Sequence, residues 1–256
     1  MIHQQFVRHI MEVIQFDESI VGLAVGGSWI TDELDEYSDL DLVLVTREKT
    51  GGDREKMMAY AASFGELLSA FTGEHVGEPR LLICLYDNPL LHVDIKFVTP
   101  VEFHTRVENP FIVLDTDAEL DEIVTGTPAA YPPPDYQWIE DRFWTWVHYA
   151  LQKTGRGELM EALDFFGFIR NVVTGPLLQV KNGLLPRGVR RVEENLPPAD
   201  LEKLAATIPA YDRAAILKAL HHTVALYREL RQAVFPEEIR LQAAAEEKVM
   251  QQLAAY

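Results

Sequence analysis

Cysteine is almost absent from the chain. Its 256 residues hold one, Cys84, inside the apolar run Leu81–Leu85. A lone thiol forms no internal disulfide, and a buried structural role is its ordinary use. No Cys/His cluster is present, so zinc is not expected. No apolar run approaches the length of a membrane span. The opening stretch, MIHQQFVRHIMEVIQF, carries His, Gln and Arg at helical spacing, unlike a signal peptide. These absences predict a soluble, cytoplasmic protein with no membrane partner. Positive charge is also scarce, and the net charge is −17. Residues 1–135 carry 8 Lys and Arg against 25 Asp and Glu, whereas residues 136–256 carry 15 of each. Nucleic-acid binding needs clustered Lys and Arg, so no nucleic-acid partner is expected. An acidic surface attracts metal ions and cationic small molecules, and it also simply aids solubility.

What is present concentrates in Gly26–Asp41, GGSWITDELDEYSDLD, between the apolar runs Ile20–Val25 and Leu42–Val45. The pattern predicts a strand, a tight turn onto a short helix, and a second strand. Gly26 and Gly27 lack Cβ atoms, so a large anion can approach the backbone and φ can be positive. Ser28 is placed to cap a helix starting at Trp29, and a helix start favours phosphate. Ten residues separate Ser28 from Asp39, and Asp41 follows. Strand alternation points both carboxylates one way and Leu40, Leu42 and Leu44 the other. Two adjacent carboxylates are unfavourable unless a cation separates them, and oxygen ligands plus substrate phosphates suit Mg²⁺. Gly-Gly alone is often only a turn, and Asp-x-Asp alone is often an exposed strand face. Their combination favours a metal–triphosphate site. No Gly-Lys-Ser/Thr ends the stretch, so it is not a P-loop.

The rest of the first half alternates strands and helices. An amphipathic helix is expected over residues 4–16, and another over 54–72 with Met57, Met58, Ala61, Phe64, Leu68 and Phe71 inward. Residues 73–79 read as a loop. Strands follow near 80–86 and 91–98, joined by a hairpin turn at Asp87-Asn88-Pro89. A short helix from Pro100 and a strand at Phe111–Leu114 complete the half. The segment Thr127–Asp135, TPAAYPPPD, reads as a stiff extended connector. Beyond it the periodicity is helical, with helices near 136–154, 158–174, 176–182, 199–207, 212–234 and 237–255. The expected fold class is α+β. A mixed-sheet domain over 1–126 is followed by a Pro-rich linker over 127–135 and an all-helical domain over 136–256.

On the predicted strand 91–98, His92, Asp94 and Lys96 share one face. Asp94 could pair with Lys96 on a solvated face. If its strand neighbours that of Asp41, Asp94 could join the same cluster.

Gly26-Gly27-Ser28, the ten-residue spacer, Asp39-x-Asp41 and a later Asp94 resemble the signature of the polymerase-β-type nucleotidyltransferase superfamily. The appended helical domain is similar to that of antibiotic nucleotidyltransferases of the aminoglycoside 6-adenylyltransferase type. So are Val93-Asp94-Ile95, Val113–Asp117 and Val180-Lys181-Asn182-Gly183. After that glycine the type tends to have Gly-Lys, where Leu184-Leu185-Pro186-Arg187 stands here. The resemblance implies that Gly27 and Ser28 bind the triphosphate and that Asp39 and Asp41 hold Mg²⁺. Asp94 is then the third ligand or the base. It implies transfer of AMP from ATP to a hydroxyl of a small molecule, with an aminoglycoside as the leading acceptor and antibiotic resistance as the role. Two other readings stand: modification of a protein, and a nucleotide-binding regulatory module without transfer.

The substrates suggest further residues. Lys181, Arg187, Arg190 and Arg191 form a stretch without acids that could reach a triphosphate; they could equally be a solvated face paired with Glu193 and Glu194. Glu161 and Asp164 share a helix face. With Trp144 and Trp146 they could make an acidic, aromatic wall for a cationic acceptor. The plainer reading places these acids at a helix start and the tryptophans in the core.

Overall fold

The computed structural model describes all 256 residues. The chain divides into two compact units, Met1–Pro132 and Pro133–Tyr256. The division falls among the consecutive prolines, where neither a helix nor a sheet ladder can continue.

The first unit opens with helix α1 (Ile2–Ile14), whose Val7, Ile10 and Ile14 form a buried stripe. The strands are β1 (Ile20–Val25), β2 (Leu40–Thr46), β3 (Leu67–Gly73), β4 (Glu78–Tyr86), β5 (Leu91–Val98) and β6 (Phe111–Asp115). Helices α2 (Arg54–Ser63), α3 (Pro100–Phe103) and α4 (Glu119–Gly126) lie between or after them. The six strands form one mixed sheet in the order β3-β4-β5-β2-β1-β6. Every pairing is antiparallel except β2 with β5. Apolar side chains of α1 and α2 pack with Leu40, Leu42, Leu44, Val93, Ile95 and Phe97 in one core. A smaller core joins Val45 and Val98 to Phe103 of α3 and to Leu120 and Ile123 of α4. The first core therefore fills one side of the central strands, and the second covers the other side only near their C-terminal ends.

Two expectations for this unit are corrected. Helix α2 stops at Ser63 instead of running to residue 72, and the chain turns at Phe64-Gly65 into β3. Leu68 and Phe71, expected inward, are about half exposed on this edge strand, at 51% and 50%. Residues 73–79 are not all loop: a short 3₁₀ turn spans Glu74–Val76 and β4 begins at Glu78. Helix α4 had no counterpart in the sequence reading.

The second unit is helical: α5 (Tyr136–Arg156), α6 (Leu159–Ile169), α7 (Gly175–Lys181), α8 (Val192–Asn195), α9 (Pro198–Ala205), α10 (Arg213–Val234) and α11 (Ala243–Leu253). Asp135 and Asp212 cap α5 and α10 by accepting from Trp138 and Ala215 N–H. A π-helical turn, Arg170–Thr174, links α6 to α7. Phe143 and Tyr227 stack at 3.6 Å in the core. Beside them Glu140, 1% exposed, accepts from the Tyr227 hydroxyl, Trp144 Nε1, Arg231 Nη1 and Gln242 N–H. A buried carboxylate is tolerable only with such a full set of donors. No helix is long and apolar enough to cross a membrane.

Candidate active site

Strand alternation sorts the central side chains. Leu40, Leu42 and Leu44 on β2 face the larger core, so Asp41 and Val43 face the other side. On β5, Val93, Ile95 and Phe97 face that core, so His92, Asp94 and Lys96 face away. Because β2 and β5 are parallel, both N-terminal ends lie at the same end of the sheet. The register sets Asp41 directly opposite Asp94. Helices α3 and α4 cover Val45 and Val98 farther along and leave this end to half-buried carboxylates. Asp39 immediately precedes β2. Its position is fixed by α1, where the buried His3 donates through Nε2 to the Ser38 carbonyl at 2.7 Å.

The glycine turn lies on the same carboxylates. Gly26 N–H donates to the Asp41 carbonyl at 2.8 Å. Gly27 has φ +59, and a Cβ at this position would land on Asp41 Oδ2. Only glycine lets the backbone rest against that carboxylate. Gly27 N–H donates to Glu108 Oε1 at 3.1 Å. The expected helix from Trp29 is absent. The chain makes one 3₁₀ turn, Gly27–Trp29, closed by Ile30 N–H on the Gly27 carbonyl at 3.1 Å. Trp29 packs on the sheet core and Asp32 takes φ +56, so the turn does not propagate and Ser28 caps no helix.

Electrostatics distinguish Asp94 from its strand neighbour. Burial pushes the Asp94 carboxyl above its ordinary range; His92 opposes this and the charge of Asp39 adds to it. His92 Nε2 stands 3.0 Å from Asp94 Oδ1. Lys96 does not pair with Asp94. Its Nζ contacts Glu78 Oε2 at 2.9 Å, because the antiparallel partner β4 brings an acid to it.

The donor chemistry suits Mg²⁺: three carboxylates, two in direct register, with like charge crowding Asp94. As placed, no three His, Cys, Asp or Glu side chains close into a set that could hold a metal ion. Asp94 is turned towards His92.

The residues expected from the helical unit are placed as follows. Lys181 Nζ is held by Asp200 Oδ1 at 2.7 Å and Glu229 Oε1 at 3.2 Å, tying α7 to α9 and α10. Both acids raise its pKa, with Asp200 foremost. Arg187 and Arg190 lie in the loop after α7, where Gln179 Nε2 donates to the Arg190 carbonyl at 3.2 Å. Arg191 pairs with Glu194 at 2.5 Å. Glu161 accepts from Lys153 Nζ at 2.8 Å and from the Tyr149 hydroxyl. Asp164 is exposed on α6. Trp144 is corrected: at 1% exposure it belongs to the core and walls no open site. Trp146 instead lines a hollow of about 370 Å³ with Asp141, Arg142 and Thr145. The sequence reading missed Glu108, whose contact spans 81 positions and leaves no local signal.

No protein-family model matches the chain, and no curated protein matches it. Thirteen chains of solved structures do. One is an aminoglycoside 6-adenyltransferase from Bacillus subtilis, 15% identical, with 99% of this chain and 97% of that chain covered and a TM-score of 0.39. Another is a nucleotidyltransferase-like protein from Exiguobacterium sibiricum 255-15, 12% identical, with 98% and 88% covered and a TM-score of 0.40. The chain is similar to both along nearly its whole length.

Proposed function

We propose that the chain is a Mg²⁺-dependent nucleotidyltransferase that moves AMP from ATP to a hydroxyl of a small molecule. The observation that carries this reading is the parallel register of Asp41 and Asp94, with the Gly27 turn resting on the Asp41 carboxylate. Structural burial alone gives no reason to align two acids at one uncovered sheet end. Asp39, Asp41 and Asp94 would hold the metal. When bound, Mg²⁺ supplies charge neutralisation on the triphosphate and on the departing oxygens.

The remaining work falls to the chain. The Gly27 turn would position the triphosphate through the Gly27 N–H, which a phosphate must take over from Glu108, since the Gly26 N–H is spent on the Asp41 carbonyl. The acceptor oxygen attacks the α-phosphorus, the bond to the α–β bridging oxygen breaks, and pyrophosphate leaves with that electron pair. The hydroxyl proton passes to a carboxylate, and Asp94, set opposite Asp41 in the sheet, is the candidate if it serves as the base and not as the third metal ligand. An aminoglycoside is the first acceptor to test, following the sequence resemblance.

A pyrophosphate-release assay with ATP, Mg²⁺ and a panel of aminoglycosides and other hydroxyl acceptors tests the proposal. Acceptor-dependent release supports it. Tight ATP binding with no release for any acceptor overturns it in favour of a nucleotide-binding module.

A further inference from the structure

Glu108 sits on the Gly27 turn without a part in the proposed reaction. It lies between α3 and β6, in a segment that Arg106 fastens down. Arg106 donates to Asn109 Oδ1 at 2.8 Å, Thr127 Oγ1 at 2.8 Å and the Val124 carbonyl at 3.1 Å, and also to the Thr127 carbonyl. Ala130 N–H returns to the Arg106 carbonyl at 3.0 Å. The loop thus delivers its acid from a fixed base. Glu108 Oε1 takes the Gly27 N–H, and a Cβ on Gly26 would stand 3.3 Å from the same oxygen. Asp41 Oδ2 also lies against Gly27, where a Cβ would land on it. Two carboxylates thus lie at the turn, and one of them occupies the donor that a phosphate would use.

We infer that Glu108 makes triphosphate binding at the Gly27 turn depend on a divalent cation, because its carboxylate holds the Gly27 N–H and excludes a metal-free polyphosphate. The inference rests on the nucleotide reading above. One N–H serves one anion well. A second anion arriving within a few ångströms is repelled unless a cation stands between the two. A cation-bearing triphosphate brings its own compensation and can displace Glu108; a bare one cannot. Glu108 is thereby a selectivity residue, distinct from the carboxylates that would ligate the metal.

The experiment is calorimetric titration of ATP into wild type and Glu108→Gln, each in EDTA and in excess Mg²⁺. Glutamine keeps an oxygen for the Gly27 N–H and removes the charge; matching thermal melts establish that both proteins are folded, and Glu108→Asp provides a charged control. The expected result is metal-free ATP affinity raised about tenfold or more in Glu108→Gln, with the Mg²⁺–ATP affinity changed far less. Equal metal-free affinity in the two proteins overturns the inference. So does equal tightening in both conditions. Loss of Mg²⁺–ATP binding in Glu108→Gln also overturns it and makes Glu108 a metal ligand. If neither protein binds ATP under either condition, the nucleotide reading itself fails, and this inference fails with it.

Discussion

Two neighbouring groups on β5 differ in what their charges do. Lys96 belongs to a closed network: Glu78 accepts from Lys96 at 2.9 Å and from Arg80 through Nη2 at 2.7 Å, and Arg80 also lies 3.6 Å from Glu102. Each charge there has an opposite partner, and Arg80 above all holds the Glu78 carboxyl down at about 2. Asp94, two residues earlier on the same face, has the reverse balance. Acids gather around it, burial pushes its carboxyl up, and His92 compensates only in part. The network is an ion-pair arrangement completed by the fold. The acid group, as placed, does not close into a set that could hold a metal ion. One strand thus carries a paired charge and an only partly compensated one within two residues.

The contrast can be broken first at the acids. Asp41→Asn should lower transfer roughly a thousandfold while leaving the thermal melt unchanged or slightly raised, since a repulsive charge is removed. Steady-state pyrophosphate release beside a melting curve reads both; normal turnover would refute the metal assignment.

Next in size is Gly27→Ala. Its methyl would collide with Asp41 Oδ2 at a positive φ, so transfer should fall roughly a hundredfold. Stability should fall by only about 1–2 kcal/mol. A variant with normal turnover would show that the turn does not need to touch the carboxylate.

The smallest effect lies in the network. Glu78→Gln should cost about 2 kcal/mol of stability at pH 7 and spare turnover. The folded pKa of Glu78 is depressed from 4.5 to about 2. Its contribution is therefore fully present above pH 4.5 and is lost as pH falls towards 2. Urea melts of both proteins at pH 7 and near pH 2 should show the gap closing at the lower value. A gap that persists would mean packing, not charge, is at stake.

The acid pair was legible because a strand alternates in steps of two, so Asp39, Asp41 and Asp94 could be assigned to faces from Leu40, Leu42, Val93 and Ile95 alone. The long helices were legible too, since α5 and α10 begin with Asp135 and Asp212 at capping positions. Strand β3 was hidden because Leu68 and Phe71 continue the spacing of Met57, Ala61 and Phe64, and only Gly65 interrupts the run. The buried Glu140 was hidden because an acid on a helix reads as solvent-facing until its donors are seen, three of the four of which (Tyr227, Arg231 and Gln242) come from distant parts of the chain. Glu108 was hidden for the same reason. Non-local polar contacts write no period into the sequence.

The lone parallel pair in the sheet has a consequence for how freely this chain can vary. Sliding β2 against β5 by one residue would turn Asp41 into the apolar layer and Leu42 out of it. The alignment that brings the acids together is the alignment that packs the core, so one cannot drift while the other is kept. Residues 31–37, which form no helix or strand, escape that coupling and can gain or lose length, up to Ser38, whose carbonyl His3 holds. Conservation of spacing in relatives should therefore be strict inside the two strands and loose in the loop that joins the glycine turn to the first acid.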